Sequence, residues 1–105
     1  MEFSQYQSLA MGFMTDSVEA DPVSYGLLNL AAETGEVSDK FAKSLRADED
    51  VDDIEVLKEL GDVLWSLTCI ANGMGYSIET VASMNVAKLQ ERQLRGTIIG
   101  EGDNR

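Results

Sequence analysis

The chain has 105 residues, 44% of them hydrophobic, with a formal net charge of −11 and no histidine. That length suits one globular domain whose small core gains from self-association, and the acidity argues against coating nucleic acid or an anionic membrane. Without histidine, Ser-His-Asp and Cys-His catalysis and the Glu-x-x-His signature of di-iron bundles are excluded, leaving a carboxylate, lysine, tyrosine or metal-activated water as general base.

The N-terminus, Met1-Glu2-Phe3-Ser4-Gln5, lacks the basic-then-apolar layout of a signal peptide. A first helix is predicted over about 2–15, with Phe3, Tyr6, Ala10 and Phe13 at helical spacing. Asp21-Pro22 reads as an N-cap followed by the favoured proline position, opening a second helix over about 22–46. Its apolar set is Leu27, Leu28, Leu30, Ala31, Val37, Phe41 and Leu45. After the acidic connector 48–53, Asp52 or Asp53 caps a third helix over about 53–73, with Ile54, Leu57, Leu60, Leu64, Leu67 and Ile70. Cys69 is the single cysteine, so no internal disulfide forms; among Leu67, Ile70 and Ala71 it reads as a small core residue in a reducing cytoplasm. Gly73 and Gly75 end this helix, Ser77 caps a fourth over about 78–95, and Gly96 stops it before a polar tail, 96–105.

Strand-like alternation is absent, and no apolar run is long enough to cross a membrane. The prediction is an all-α, four-helix, bundle-like single domain over 1–105. The second and third helices are apolar over most of their circumference, so part of that surface is expected to meet another copy in a homodimer or homotetramer.

Two acidic pairs interrupt those apolar stretches: Glu33-Thr34-Gly35-Glu36 and Glu59-Leu60-Gly61-Asp62. Residues three apart share a helix face, about 5 Å from one another. One such pair is most often a solvated face, but two, each with an internal glycine and apolar flanks, point to a shared site. Each glycine costs a helix about 1 kcal/mol relative to alanine, which makes sense where a backbone or ligand approaches closely. Converging carboxylates require a cation, and oxygen-only ligands favour a hard one, Mg²⁺ or Mn²⁺. Asp48, Asp50, Asp52 and Glu59 also match ligand positions of a calcium-binding loop, but Asp53 stands where the sharp turn requires glycine, and Glu33 and Glu36 would have no role. A solvated acidic loop is the better reading of the connector.

Asn85, Lys88, Arg92 and Arg95 share one face of the fourth helix. A basic stripe on an acidic protein is what an anionic ligand requires, lysine as a point charge and arginine bidentately. The alternative is a solvated face with a Glu91–Arg95 pair. Lys40 and Lys43 divide equally between ligand contact and salt bridges, and Phe3, Tyr6, Phe13 and Trp65 are read as core residues before stacking platforms.

With these motifs the chain resembles the MazG-like, all-alpha nucleoside triphosphate pyrophosphohydrolase superfamily, whose signature is Glu-x-x-Glu on one helix and Glu-x-x-Asp on the next. Tyr6-Gln7, Asn85-Val86-Ala87-Lys88-Leu89 with Arg92, and the tail from Arg95-Gly96 to Gly102-Asp103-Asn104-Arg105 are similar to family members as well. The resemblance implies Mg²⁺-dependent hydrolysis of ribo- or deoxyribonucleoside triphosphates to monophosphate and pyrophosphate, by water attack at the α-phosphorus. By matching position, Glu33, Glu36, Glu59 and Asp62 would ligate the metal, with Glu36, then Glu33, orienting or deprotonating the water. Asn85 and Lys88 would contact substrate and Arg92 would support the phosphates. Ser66, four residues after Asp62 and expected to face the site, stands where many relatives carry tyrosine. A phosphoribosyl-ATP pyrophosphatase or a dCTP- or dUTP-specific enzyme is the near alternative. A non-catalytic, metal-binding oligomerisation module is the alternative of another class, and the basic stripe speaks against it.

Overall fold

In the computed structural model, which describes residues 1–105, local capping chemistry sets most helix boundaries. The chain forms α1 (Phe3–Met11), α2 (Asp16–Ala20), α3 (Pro22–Ala47), α4 (Asp53–Gly73) and α5 (Ile78–Arg95), and no strand. Asp21 accepts the Ser24 N–H at 3.3 Å with Pro22 in the first turn of α3. Asp52 accepts the Ile54 and Glu55 N–H groups at 3.0 and 3.4 Å, and Ser77 Oγ accepts the Thr80 N–H at 3.1 Å. These bonds satisfy amide donors that an α-helix leaves open at its start. Gly96 closes α5 in the left-handed region, with φ 71°.

The first segment departs from the predicted helix over 2–15. It ends at Met11, turns through Gly12-Phe13-Met14, and restarts as the short α2 after Thr15, whose backbone is extended. Phe13, read from its spacing as helical and apolar, is 80% exposed, so no core holds the helix together past Gly12.

The long helices α3 and α4 run antiparallel and make the principal packing of the molecule. Two glycines allow it. A Cβ on Gly26 would stand 2.7 Å from Ile70 Cγ1 and 3.2 Å from the Ser66 carbonyl oxygen; one on Gly73 would stand 2.8 Å from Pro22 Cγ. The close approach expected at Gly35 and Gly61 is not made within the chain, because a Cβ there would meet nothing within 4 Å. Cys69 is fully buried, as its neighbours suggested, with its thiol directed at the Pro22 carbonyl and its pKa raised by burial.

Helix α1 crosses α4, where Trp65 Nε1 donates to the Ala10 carbonyl at 2.9 Å. Gln7 ties α1 to the turn between α4 and α5. Its Nε2 donates to Asn72 Oδ1 and the Tyr76 carbonyl, and its Oε1 accepts the Ile78 N–H at 2.8 Å. Helix α5 packs on α1 and α4, and none of its Cα atoms comes within 8 Å of one in α3.

Only Ala10, Cys69, Ala71 and Ile78 form the fully buried apolar core, while Leu28, Leu45 and Leu94 are 75%, 83% and 88% exposed. The radius of gyration is 16.6 Å, against about 13 Å for a compact domain of this size. No helix is long and apolar enough to cross a membrane.

Candidate metal centre

Packing α3 against α4 brings three of the four paired carboxylates into one cluster. Carboxylate oxygens of Glu33, Glu59 and Asp62 all lie within 4.8 Å of one another. Glu33 and Glu59 are half-buried and Asp62 is exposed, so the group sits at the rim of the helix pair, open to solvent on one side. Burial is the main cause that raises the Glu33 pKa, followed by the charges of Asp62 and Glu59, a hydrogen bond with Glu59, and the charge of Glu36. In the absence of a cation the cluster therefore holds a proton more readily than a free glutamate does. Lys40 Nζ stands 3.8 Å from a Glu59 oxygen and supplies one nearby positive charge, whereas Lys43 is paired with Asp39 at 2.7 Å.

Glu36 is exposed, one turn further along α3, and lies outside the group of three. Ser66 does not face the site as expected. It is fully buried, accepts a hydrogen bond from Asn29 Nδ2 at 2.8 Å, and donates to the Asp62 carbonyl at 3.0 Å. The i, i+4 spacing gives Asp62 and Ser66 a common side of α4, but the inward end of that side is covered by α3 and only the outer end reaches solvent. Asn29, which the sequence reading passed over, sits four residues before Glu33 on the same side of α3.

Tyr6 is also close to the cluster. Burial raises its pKa first, the Thr68 hydroxyl opposes that, and the charge of Asp62 raises it further. With Met1, Glu2, Phe3 and Leu64, Tyr6 lines a cavity of about 380 Å³. Trp65 instead packs edge-on against Tyr25, with ring centroids 6.1 Å apart.

The three converging carboxylates fit a hard divalent cation. They are oxygen donors within a span that one ion can bridge, their mutual repulsion is what such an ion relieves, and no soft ligand accompanies them. An ion held there would keep its solvent-open side for water.

The basic residues lie on a separate surface. Asn85, Lys88 and Arg95 line a cavity of about 750 Å³ between α5 and the C-terminal tail. Arg92 is buried beneath it, and Glu91 pairs with Arg95 at 3.6 Å. No Cα of α5 lies within 8 Å of α3, so within one chain this face stands apart from the helix that carries Glu33 and Glu36.

No solved structure matches the chain. The Gene 37 protein of Mycobacterium phage L5 is 41% identical to it over 96 residues, covering 86% of this chain and 81% of that protein. The MazG nucleotide pyrophosphohydrolase domain matches residues 24–95, from the first turn of α3 to the end of α5 and across both acidic pairs, and the chain belongs to that family.

Proposed function

We propose that this protein hydrolyses ribo- or deoxyribonucleoside triphosphates to monophosphate and pyrophosphate in a Mg²⁺-dependent reaction at the Glu33–Glu59–Asp62 cluster. The convergence of three carboxylates from α3 and α4 within 4.8 Å is the observation that carries this reading. Bound there, Mg²⁺ would neutralise phosphate charge and acidify water.

The protein's own groups have distinct tasks. Glu33, Glu59 and Asp62 hold the ion, and Lys40 restrains Glu59. Glu36, one turn from Glu33 on α3, is the fourth carboxylate proposed for the ion and orients or deprotonates the water aimed at the α-phosphorus. Lys88 and Arg92 hold the charge of the leaving pyrophosphate, and Asn85 contacts substrate from the same face. Phe3, Tyr6 and Leu64 offer an apolar wall for the base.

The active form in this proposal is a homo-oligomer in the cytoplasm. Its exposed leucines and open, flattened shape support association. The separation of α5 from α3 suits an arrangement in which substrate spans the carboxylates of one copy and α5 of a neighbour.

Incubation with Mg²⁺ and a panel of nucleoside triphosphates, with products separated by chromatography, tests the activity and ranks the bases. Monophosphate and pyrophosphate, lost on chelation, are expected. Diphosphate and phosphate would place the attack on the wrong phosphorus, and no turnover on any triphosphate would reject the reading.

A further inference from the structure

The basic face of α5 is occupied by the chain's own tail. One oxygen of the Asp103 carboxylate lies 2.8 Å from Lys88 Nζ and 3.0 Å from Arg92 Nη2. The same Arg92 nitrogen donates to the Asp103 carbonyl at 2.9 Å. Arg92 is only 6% exposed, yet its buried Nε has no hydrogen-bond partner. The adjoining cavity, about 750 Å³, is lined by Asn85, Lys88, Glu91, Arg95, Asp103 and Asn104.

The tail holds itself together as a folded piece. Arg105 donates to the carbonyls of Thr97 at 3.0 Å, Gly102 at 2.7 Å and Ile98 at 3.2 Å. Gly96, with φ 71°, and Gly102, with φ 84°, adopt backbone conformations open to glycine at little steric cost. Gly96 thus turns the chain from the helix into a tail with its own internal bonds, and the Thr97 N–H ties the start of that tail to the Arg92 carbonyl at 2.7 Å.

A carboxylate is an imperfect partner for this seat. It sets one negative charge against two cations and leaves Arg92 Nε unbonded. A phosphate group carries more charge and several acceptor oxygens, enough to engage Nε and Nη2 together in the bidentate geometry a guanidinium favours. If the tail left with nothing in its place, Arg92 and Lys88 would lose the Asp103 oxygens and be left to water, so an arriving anion takes up the bonds the carboxylate gives up. Departure of the tail and arrival of an anion are therefore coupled as an exchange.

We propose that Asp103 is an internal anion latch: its carboxylate holds the Lys88–Arg92 seat in the free protein, and a phosphate group of the substrate displaces it as the end of the tail lifts off α5. The identity of that phosphate as substrate rests on the activity proposed above; the exchange itself does not. The tail thereby competes with substrate, and the charge on Asp103 sets how strongly.

The test titrates inorganic pyrophosphate, without divalent metal and with chelator present, into the full chain and its Asp103→Asn variant. Amide exchange over residues 97–105 is followed in the wild-type protein, so the result does not depend on the variant alone. The variant is expected to bind pyrophosphate about three- to fivefold more tightly, the scale of one exposed ion pair, and pyrophosphate is expected to accelerate exchange across the wild-type tail. Equal or weaker binding by the variant, slower exchange in the tail, or no pyrophosphate binding to either protein would overturn the latch. Triphosphate turnover without these effects refutes the latch alone. Pyrophosphate-driven release of the tail in a protein without turnover refutes the activity alone.

Discussion

Asn29 of α3 donates to the Ser66 hydroxyl of α4 across 2.8 Å, one helical turn from Glu33 on its own helix and one turn from Asp62 on the other. Ser66 passes the connection on to the Asp62 carbonyl at 3.0 Å. This bond fixes the register of the two helices where their carboxylates meet. Ser66→Ala leaves the Asn29 amide without its partner and is expected to cost about 1–3 kcal/mol of stability. It should also reduce the rise in melting temperature that Mg²⁺ produces. Melting curves with and without Mg²⁺ measure both; an unchanged Mg²⁺ response would show that the bond does not position the ligands.

The protonation of Glu33 makes the metal-free protein sensitive to pH. Its pKa in the folded state is raised, first by burial and then by neighbouring negative charge, so the folded state binds more protons than the unfolded one above the ordinary glutamate range. Stability from this group is full below that range and falls as pH rises through the raised pKa. Glu33→Gln is expected to flatten that part of the metal-free stability profile. Asp62→Asn should remove one source of repulsion, raising metal-free stability while reducing turnover by about 100-fold or more. Thermal melts across pH in chelator, with parallel rate measurements, check both; a profile unchanged by Glu33→Gln would contradict the first.

Glycines on the same two helices should respond in opposite ways. At Gly26 a new methyl meets Ile70 Cγ1 at 2.7 Å and backbone atoms at 3.2 Å, so Gly26→Ala is expected to destabilise the protein by about 1–3 kcal/mol. Gly35 and Gly61 face open space in the chain, and alanine there should stabilise each helix by up to about 1 kcal/mol. Denaturant unfolding separates the cases. Gain of stability with loss of turnover at Gly35 or Gly61 would mean that ligand or a neighbouring copy comes close at those positions.

Exposure of leucine on four helices, α1, α3, α4 and α5, predicts self-association. Sedimentation equilibrium is expected to give a mass of two or more chains, and Leu28→Glu, at a position 75% exposed in the single chain, is expected to lower it if α3 lies in the interface. A wild-type mass near 11.5 kDa at micromolar concentration would contradict the oligomer.

Features encoded over a few residues were legible in the sequence. Asp21, Asp52, Ser77 and Gly96 mark helix ends because capping is local. The convergence of Glu33, Glu59 and Asp62 was legible because spacing within an apolar stretch fixes a face, whereas Glu36, one turn on, stands outside that group. The burial of Ser66 was not, since spacing along α4 does not say how far α3 covers it. Asp103 pairs with Lys88 fifteen residues away, through a tail without periodic pattern. The close approach sought at Gly35 and Gly61 falls at Gly26 and Gly73, which no carboxylate flanks to draw notice.

The proposed chemistry is tested most directly by a reaction with a nucleoside triphosphate and Mg²⁺ in water enriched in oxygen-18, with both products analysed by mass. Water attack at the α-phosphorus places the label in the monophosphate and leaves pyrophosphate unlabelled. Label in pyrophosphate, or release of diphosphate and phosphate, would contradict the account.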